Sequence, residues 1–307
     1  MKEIKLIPYV CSLGGRTRGS EMAALDLYEH DIVSALEALG QSASWYIDPR
    51  ELYQSPWGER AHKNRSSLSA EDKKEGVLWH CAQLRQAVID VLEQGALPVT
   101  FGGDHAMALG SISALAQQKN AHGKTGVIWI DAHADFNTPL TSPSGNLHGM
   151  PLAALSGLGD ADVVALNGAR PSIDPRHIVY IGLRDVDAGE KDFIAEYNIN
   201  AFTMMDIERE GLAAIMDKAA KIAANGTDAV ALSLDLDAFD PQDAPSVGTP
   251  VDGGLRQKEM LPLLAKLVKE VKPDLIEIAE YNPTLQGCDI TRALILEVLP
   301  ALLPARA

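Results

Sequence analysis

Short apolar runs alternate with longer amphipathic ones along almost the whole chain, and this alternation constrains the fold more than any other feature. Runs suited to strands fall at residues 4–10, 44–47, 98–101, 127–130, 178–183, 201–204, 230–234 and 275–278. Several are apolar on both faces, as strands are when helices cover each side of a parallel sheet. Helix-like periodicity covers residues 21–39, 77–94, 106–117, 212–224, 257–271 and 289–302. Strand and helix alternating this often predict an α/β fold: three α/β/α layers around a mostly parallel central sheet of about eight strands. The chain has 307 residues and shows neither a repeated unit nor a linker, so residues 1–307 read as a single domain. The polar stretch 49–76 reads as an excursion with a short helix of its own. Residues 137–151, dense in Thr, Ser, Pro, Gly and Asn, read as a loop leaving a strand.

Charge narrows the partners. There are 42 acidic residues against 27 basic ones, a formal net charge of −15. Such a field repels phosphate backbones and anionic lipid, which speaks against nucleic acid or a membrane surface, and it suits a small cationic substrate. Aromatic residues, at 5%, supply few platforms for stacked bases. No apolar run reaches the roughly 20 residues that span a bilayer. Glu3 and Lys5 interrupt the first apolar stretch, which therefore lacks a signal-peptide layout. The three cysteines, Cys11, Cys81 and Cys288, are isolated, which argues against a disulfide scaffold or a thiolate zinc site. These features are those expected of a cytoplasmic globular protein.

The acidic and histidine residues gather where strands end. Gly102-Gly103-Asp104-His105 follows the third run, Asp131-Ala132-His133-Ala134-Asp135 the fourth, Asp235-Leu236-Asp237 the seventh and Ala279-Glu280 the eighth. Open α/β sheets form their ligand crevices at the carboxyl ends of strands. In extended chain, residues i, i+2 and i+4 share a side, so Asp131, His133 and Asp135 can converge, as can Asp235 and Asp237. One such strand end alone is most often a turn or a helix cap. Four together would set buried carboxylates against one another unless protons or cations neutralised them. Carboxylates mixed with imidazoles and no thiolate suit Mn²⁺ best among common metals. Six such side chains exceed what one ion with an open position needs, and suffice for two ions sharing carboxylates and a water. The residue types thus point to a binuclear hydrolase.

The segments GGDHAMALG, WIDAHADFNTP, SLDLDAFDP and EIAEYNP resemble the metal and substrate motifs of the arginase–agmatinase (ureohydrolase) family. Residues 144–149 (SGNLHG) and 181–190 (IGLRDVDAGE) are more similar to the arginase branch than to the agmatinases. The similarity runs from about Val99 to Pro283, and is loose before that, around residues 14–21. It implies an arginase-like fold and two Mn²⁺ ions, one held by His105, Asp131, Asp135 and Asp235, the other by Asp131, His133, Asp235 and Asp237. It implies hydrolysis of L-arginine to L-ornithine and urea by a metal-bridging hydroxide attacking the guanidinium carbon. In that scheme Asp135 passes a proton to the leaving amine, His148 relays protons at the cleft mouth, and Glu280 pairs with the guanidinium. Asn137, Ser142, Ser144 and Asn146 would read the α-carboxylate, and Asp187 the α-amino group. Thr249 belongs to the Gly-Thr-Pro loop, and Glu190 makes a more distant, water-mediated contact. A homo-oligomer, trimer or hexamer, is implied as well.

Two positions depart from the arginase pattern: Val247 stands where Thr is frequent, and Ala188 where Pro is common. Asp187 is also near enough to Arg184 in sequence to pair with it on the surface. The rival readings are another amidinohydrolase acting on agmatine, guanidinobutyrate or a modified arginine; a zinc deacetylase of related fold; and a metal-bound binding protein without turnover. The carboxylate-reading loop argues against agmatine and guanidinobutyrate. A deacetylase needs fewer metal ligands than are present.

Overall fold

A computed structural model describes residues 2–168 and 170–303. Its centre is one parallel sheet: β1 (Ile4–Pro8), β2 (Ala43–Trp45), β3 (Leu97–Phe101), β4 (Thr125–Ile130), β5 (Ile178–Leu183), β6 (Asn200–Thr203), β7 (Ala229–Asp235) and β8 (Leu275–Ala279). The eight strands stand in the order β2-β1-β3-β8-β7-β4-β5-β6. Each grows from one of the apolar runs, shifted by a residue or two at its ends.

Period-two alternation divides the core between the two faces of the sheet. Ile128, Ile130, Leu232, Leu234, Ile276 and Ile278 pack on one side with the helices Leu212–Ala224, Gln257–Val271 and Cys288–Leu302. Val127, Trp129, Ala231, Leu275 and Ala279 face the other side, toward the helices Ala70–Glu93 and Ala108–Gln118. The result is a three-layer α/β/α molecule, as the alternation of runs predicts.

Helices Ala188–Glu196 and Met204–Glu210 fall outside the expected stretches, and two further segments differ from expectation. The stretch 21–39 is not one helix, because Asp31 takes φ 49° and its side chain accepts from the Ser34 N–H, ending one helix and capping Ile32–Ala38. The polar stretch 49–76 is more ordered than its pattern suggests, with helices Pro49–Tyr53 and Pro56–Asn64. Its last turns join the long helix Ala70–Glu93, which starts earlier than residue 77 because Ser69 and Asp72 form a reciprocal capping box.

Strand order positions the site. The four runs that end in acidic or histidine motifs are β3, β8, β7 and β4, the four consecutive central strands. The registers Phe101↔Ile278, Leu234↔Ile278 and Ile130↔Leu234 bring their ends to one level. The chain passes from β3 to β4 across a gap that β8 and β7 later fill, and such a switch in direction opens a crevice at the carboxyl edge.

Candidate metal centre

Each central strand delivers its side chains through a distinct local device. After β3, Gly102 and Gly103 take φ 89° and 73°, and a Cβ on Gly103 would lie 2.3 Å from the Tyr9 ring, so only glycine makes the turn into His105. Asp131 and Asp235 leave adjacent strands, and each folds its own turn, accepting from the N–H two residues on: His133 at 2.7 Å and Asp237 at 2.8 Å. Asp135 and Glu280 adopt φ 50° and 66°, left-handed values that cost a non-glycine residue about 1–3 kcal/mol. The Glu280 N–H is tied to the Gly103 carbonyl at 3.0 Å, which helps to hold that conformation.

Six expected side chains converge. His105 Nδ1 lies 3.0 Å from Asp235 Oδ2, 3.1 Å from Asp131 Oδ2 and 3.4 Å from Asp135 Oδ2. His133 Nδ1 lies 3.1 Å from Asp237 Oδ2 and 3.4 Å from Asp131 Oδ1. Two clusters result, His105–Asp131–Asp235 and Asp131–His133–Asp237, with the ligand atoms of each within 4.8 Å of one another and Asp131 common to both. Burial, the largest influence, and repulsion from Asp131 push the carboxyl of Asp135 upward; burial with Asp237 and Asp131 does the same at Asp235, and burial with Asp131 at Asp237. Burial opposes charge on the imidazoles, yet their carboxylate neighbours outweigh it and raise His105 and His133.

The donor set fits divalent cations. His105 Nδ1 is buried without a hydrogen-bond partner, while Nε2 meets Ser233 Oγ at 2.8 Å. With the Nε2 hydrogen turned to Ser233, a neutral His105 would direct the Nδ1 lone pair among the carboxylates, where an ion would take the place of a proton. Oxygen and imidazole nitrogen without sulfur suit Mn²⁺ and its neighbours, and positive charge relieves the crowding of carboxylates. A supporting tier lies below. The Trp129 ring stacks on His105 at 3.9 Å and 12°, and its Nε1–H donates to Asp131 Oδ2 at 2.9 Å. Tyr180 O–H donates to the Ala134 carbonyl at 2.7 Å. Trp129 and Ser233 each stand two residues before a clustered aspartate. That spacing in a strand was the signal available for them.

Above the cluster is a cavity of about 140 Å³. His133, Asp135, Asp235, Asp237, Thr249, His148, Glu280, Asn137, Ser142, Ser144, Asp187 and Glu190 line it, together with Gly149 and Asp185, which the sequence motifs did not single out. Thr249 donates to Asp237 Oδ2 at 2.9 Å. Asn137 Nδ2 donates to Asp187 Oδ2 at 2.8 Å, so Asp187 pairs with the loop after β4 and not with Arg184. Glu190 accepts from the N–H groups of Asp187 and Phe136, and burial pushes it up to about 7. Ser142 and Ser144 accept from Gly145 N–H and Asn146 N–H. Asn146 itself is not part of the cavity wall.

His148 and Glu280, expected in separate roles, touch: His148 Nδ1 is 2.9 Å from Glu280 Oε1, which also accepts from the His105 N–H at 3.0 Å. Burial opposes ionisation of Glu280, and the imidazole overcomes it and lowers its pKa; the pair raises His148 in return.

Known proteins align closely with this arrangement. The family model described as "Arginase family" matches residues 36–303. An arginase from Bacillus caldovelox is 36% identical over 302 residues, covering 98% of each chain. The solved arginase of Bacillus cereus superposes with a TM-score of 0.86 at 34% identity, covering all of both chains. An Entamoeba histolytica arginase solved in complex with L-ornithine superposes at 0.83 with 28% identity over 98% of each chain. With its parallel sheet, its strand-end carboxylates and this match along nearly its whole length, the chain belongs to the arginase family.

Proposed function

We propose that this enzyme hydrolyses L-arginine to L-ornithine and urea at a pair of Mn²⁺ ions. The observation that carries the reading is the double cluster sharing Asp131, set beneath a cavity whose far end offers neutral hydroxyls and amides beside Asp187. His105, Asp131, Asp135 and Asp235 would hold one ion, and Asp131, His133, Asp235 and Asp237 the other. Bound there, the ions supply a water that ionises near neutral pH and positive charge beside the reacting carbon. In this reading residues 1–307 act as one catalytic domain, because the motifs it needs are drawn from both halves of the chain.

The chain's own groups do the rest. Glu280, steadied by the His105 N–H, accepts the substrate guanidinium in place of the His148 imidazole. When water oxygen adds to the guanidinium carbon, Asp135 accepts the proton released. The bond from that carbon to the side-chain nitrogen can break only if the nitrogen is protonated, since an amide anion does not leave, and Asp135 returns the proton there. His148, freed from Glu280, exchanges protons with solvent. At the other end Asn137, Ser142 and Ser144 offer neutral donors from the cavity wall to the α-carboxylate, Asn146 is assigned to the same group by the family resemblance alone, and Asp187 faces the α-ammonium. Glu190 holds the turn that carries Asp187.

Urea release after Mn²⁺ loading tests this with arginine, agmatine and guanidinobutyrate. Both analogues bring the same guanidinium, and agmatine lacks only the carboxylate. A site built to hydrogen-bond an absent group rejects the analogue by up to roughly 10⁴–10⁵; the exposed loop here discounts this to at least about 10² in kcat/KM for arginine over agmatine. Comparable turnover of the two would move the enzyme to another amidinohydrolase activity.

A further inference from the structure

Arg184, the first residue after β5, takes no part in the chemistry above, yet its side chain is bound into the centre. Nη2 donates to the carbonyls of Asp237 at 2.6 Å, Val251 at 2.8 Å and Phe239 at 3.3 Å. Nη1 donates to Gly182 and Ala238 at 3.2 and 3.3 Å, and Nε to Val251 at 3.3 Å. The planar fork thus joins the end of β5, the turn after β7 and the loop that carries Thr249. There is no slack around it: a Cβ on Gly254 would stand 2.6 Å from Nη2.

The same residue is fixed at its other end. The Arg184 N–H donates to the Ala132 carbonyl at 2.9 Å, between Asp131 and His133. The Ala132 N–H in turn approaches Asp237 Oδ1 at 3.3 Å. Backbone and side chain together therefore bracket the segments that bear Asp131, His133 and Asp237. The residue whose carbonyl the guanidinium holds, Asp237, presents its carboxylate to His133 and Thr249. His105 has supports of its own: its ring rests on Trp129 and Ser233, and its N–H donates to Glu280.

We propose that Arg184 is a positioning residue for His133 and Asp237, the two ligands that serve one ion alone, so that this ion depends on it far more than the His105 ion, with which it shares Asp131. The inference rests on the two-ion reading. A lysine keeps the charge, but its single ammonium cannot bridge three segments, so Arg184→Lys and Arg184→Met are expected to share one defect.

The experiment is a calorimetric titration of the full-length, metal-stripped chain with Mn²⁺, for wild type, both variants and His133→Ala. The wild type is expected to take up two equivalents. Both Arg184 variants should bind one equivalent with wild-type affinity and the other about 10–100-fold more weakly, matching the equivalent that His133→Ala loses. If Arg184→Met does not fold, Arg184→Lys decides. Two equivalents at wild-type affinity in a variant with a lowered melting point would make Arg184 merely structural and overturn the inference, as would equal weakening of both ions or full recovery with lysine. A wild type that takes up only one ion would overturn the two-ion reading and this inference together.

Discussion

The contact between His148 and Glu280 links two residues that the motifs treat separately, and it makes the role of the imidazole testable. Removing it leaves the clustered aspartates in place, while Glu280 keeps its bond from the His105 N–H. His148→Ala is therefore expected to retain its metal and to lose kcat by about 10²-fold, the lower range for a general acid–base group. Added imidazole should restore part of the rate. Metal analysis alongside steady-state kinetics checks both, and a change confined to KM would make His148 a binding residue. The reacting side chains were legible because Asp131, His133 and Asp135 crowd the end of one strand, although a turn and the left-handed Asp135, not extended chain, bring them together. Arg184 and the His148–Glu280 contact were not, because each depends on residues that meet only after distant strands pair. Ser233 fell between, a plain strand residue until His105 arrives above it.

At the scale of elements, the loop after β7 carries Asp237 on one side and Thr249 on the other, and Asp240 closes it. The Asp240 carboxylate accepts from the N–H groups of Gln242 and Gly253, each at 3.0 Å. The bond from Gln242 leads in holding its pKa below the usual aspartate value, against some opposition from burial. A lowered folded pKa means stability that is present above the unfolded value, near 4, and is lost as pH falls through the folded one. Asp240→Asn should lower stability at pH 7 by about 1 kcal/mol, with water competing for the open side of the carboxylate. The gap to wild type should close as the pH falls through the lowered pKa of Asp240, and urea melts at several pH values would show it. Elements themselves were well legible: every apolar run became a strand. The break at Asp31 was hidden because both flanking segments keep helical periodicity. The early start at Ala70 was signalled by Ser69 and Asp72, a cap that outweighs the polar first turns.

For the whole molecule, an excess of 15 negative charges and a buried carboxylate cluster both favour bound cations. Ions that bind only the folded chain stabilise it by about 2.7 kcal/mol each at a hundredfold excess over Kd. Chelation should therefore lower the melting temperature by several degrees, and Mn²⁺ should restore it; scanning calorimetry would read the shift, and an unchanged midpoint would argue against a filled centre. Strand order was the least legible property, since nothing in the spacing of motifs says that β8 and β7 enter between β3 and β4. That insertion has a consequence for synthesis. With only residues 1–228 made, the strands at hand fall into two groups, β2-β1-β3 and β4-β5-β6, whose inner edges lack their partners. His105 and Asp131 then belong to separate halves, and the wedge that joins them is made last. The centre therefore lacks Asp235, Asp237 and Glu280 until β7 and β8 are made, and until then the inner edges of β3 and β4 have no partner strands, surfaces of the kind that pair wrongly with other chains.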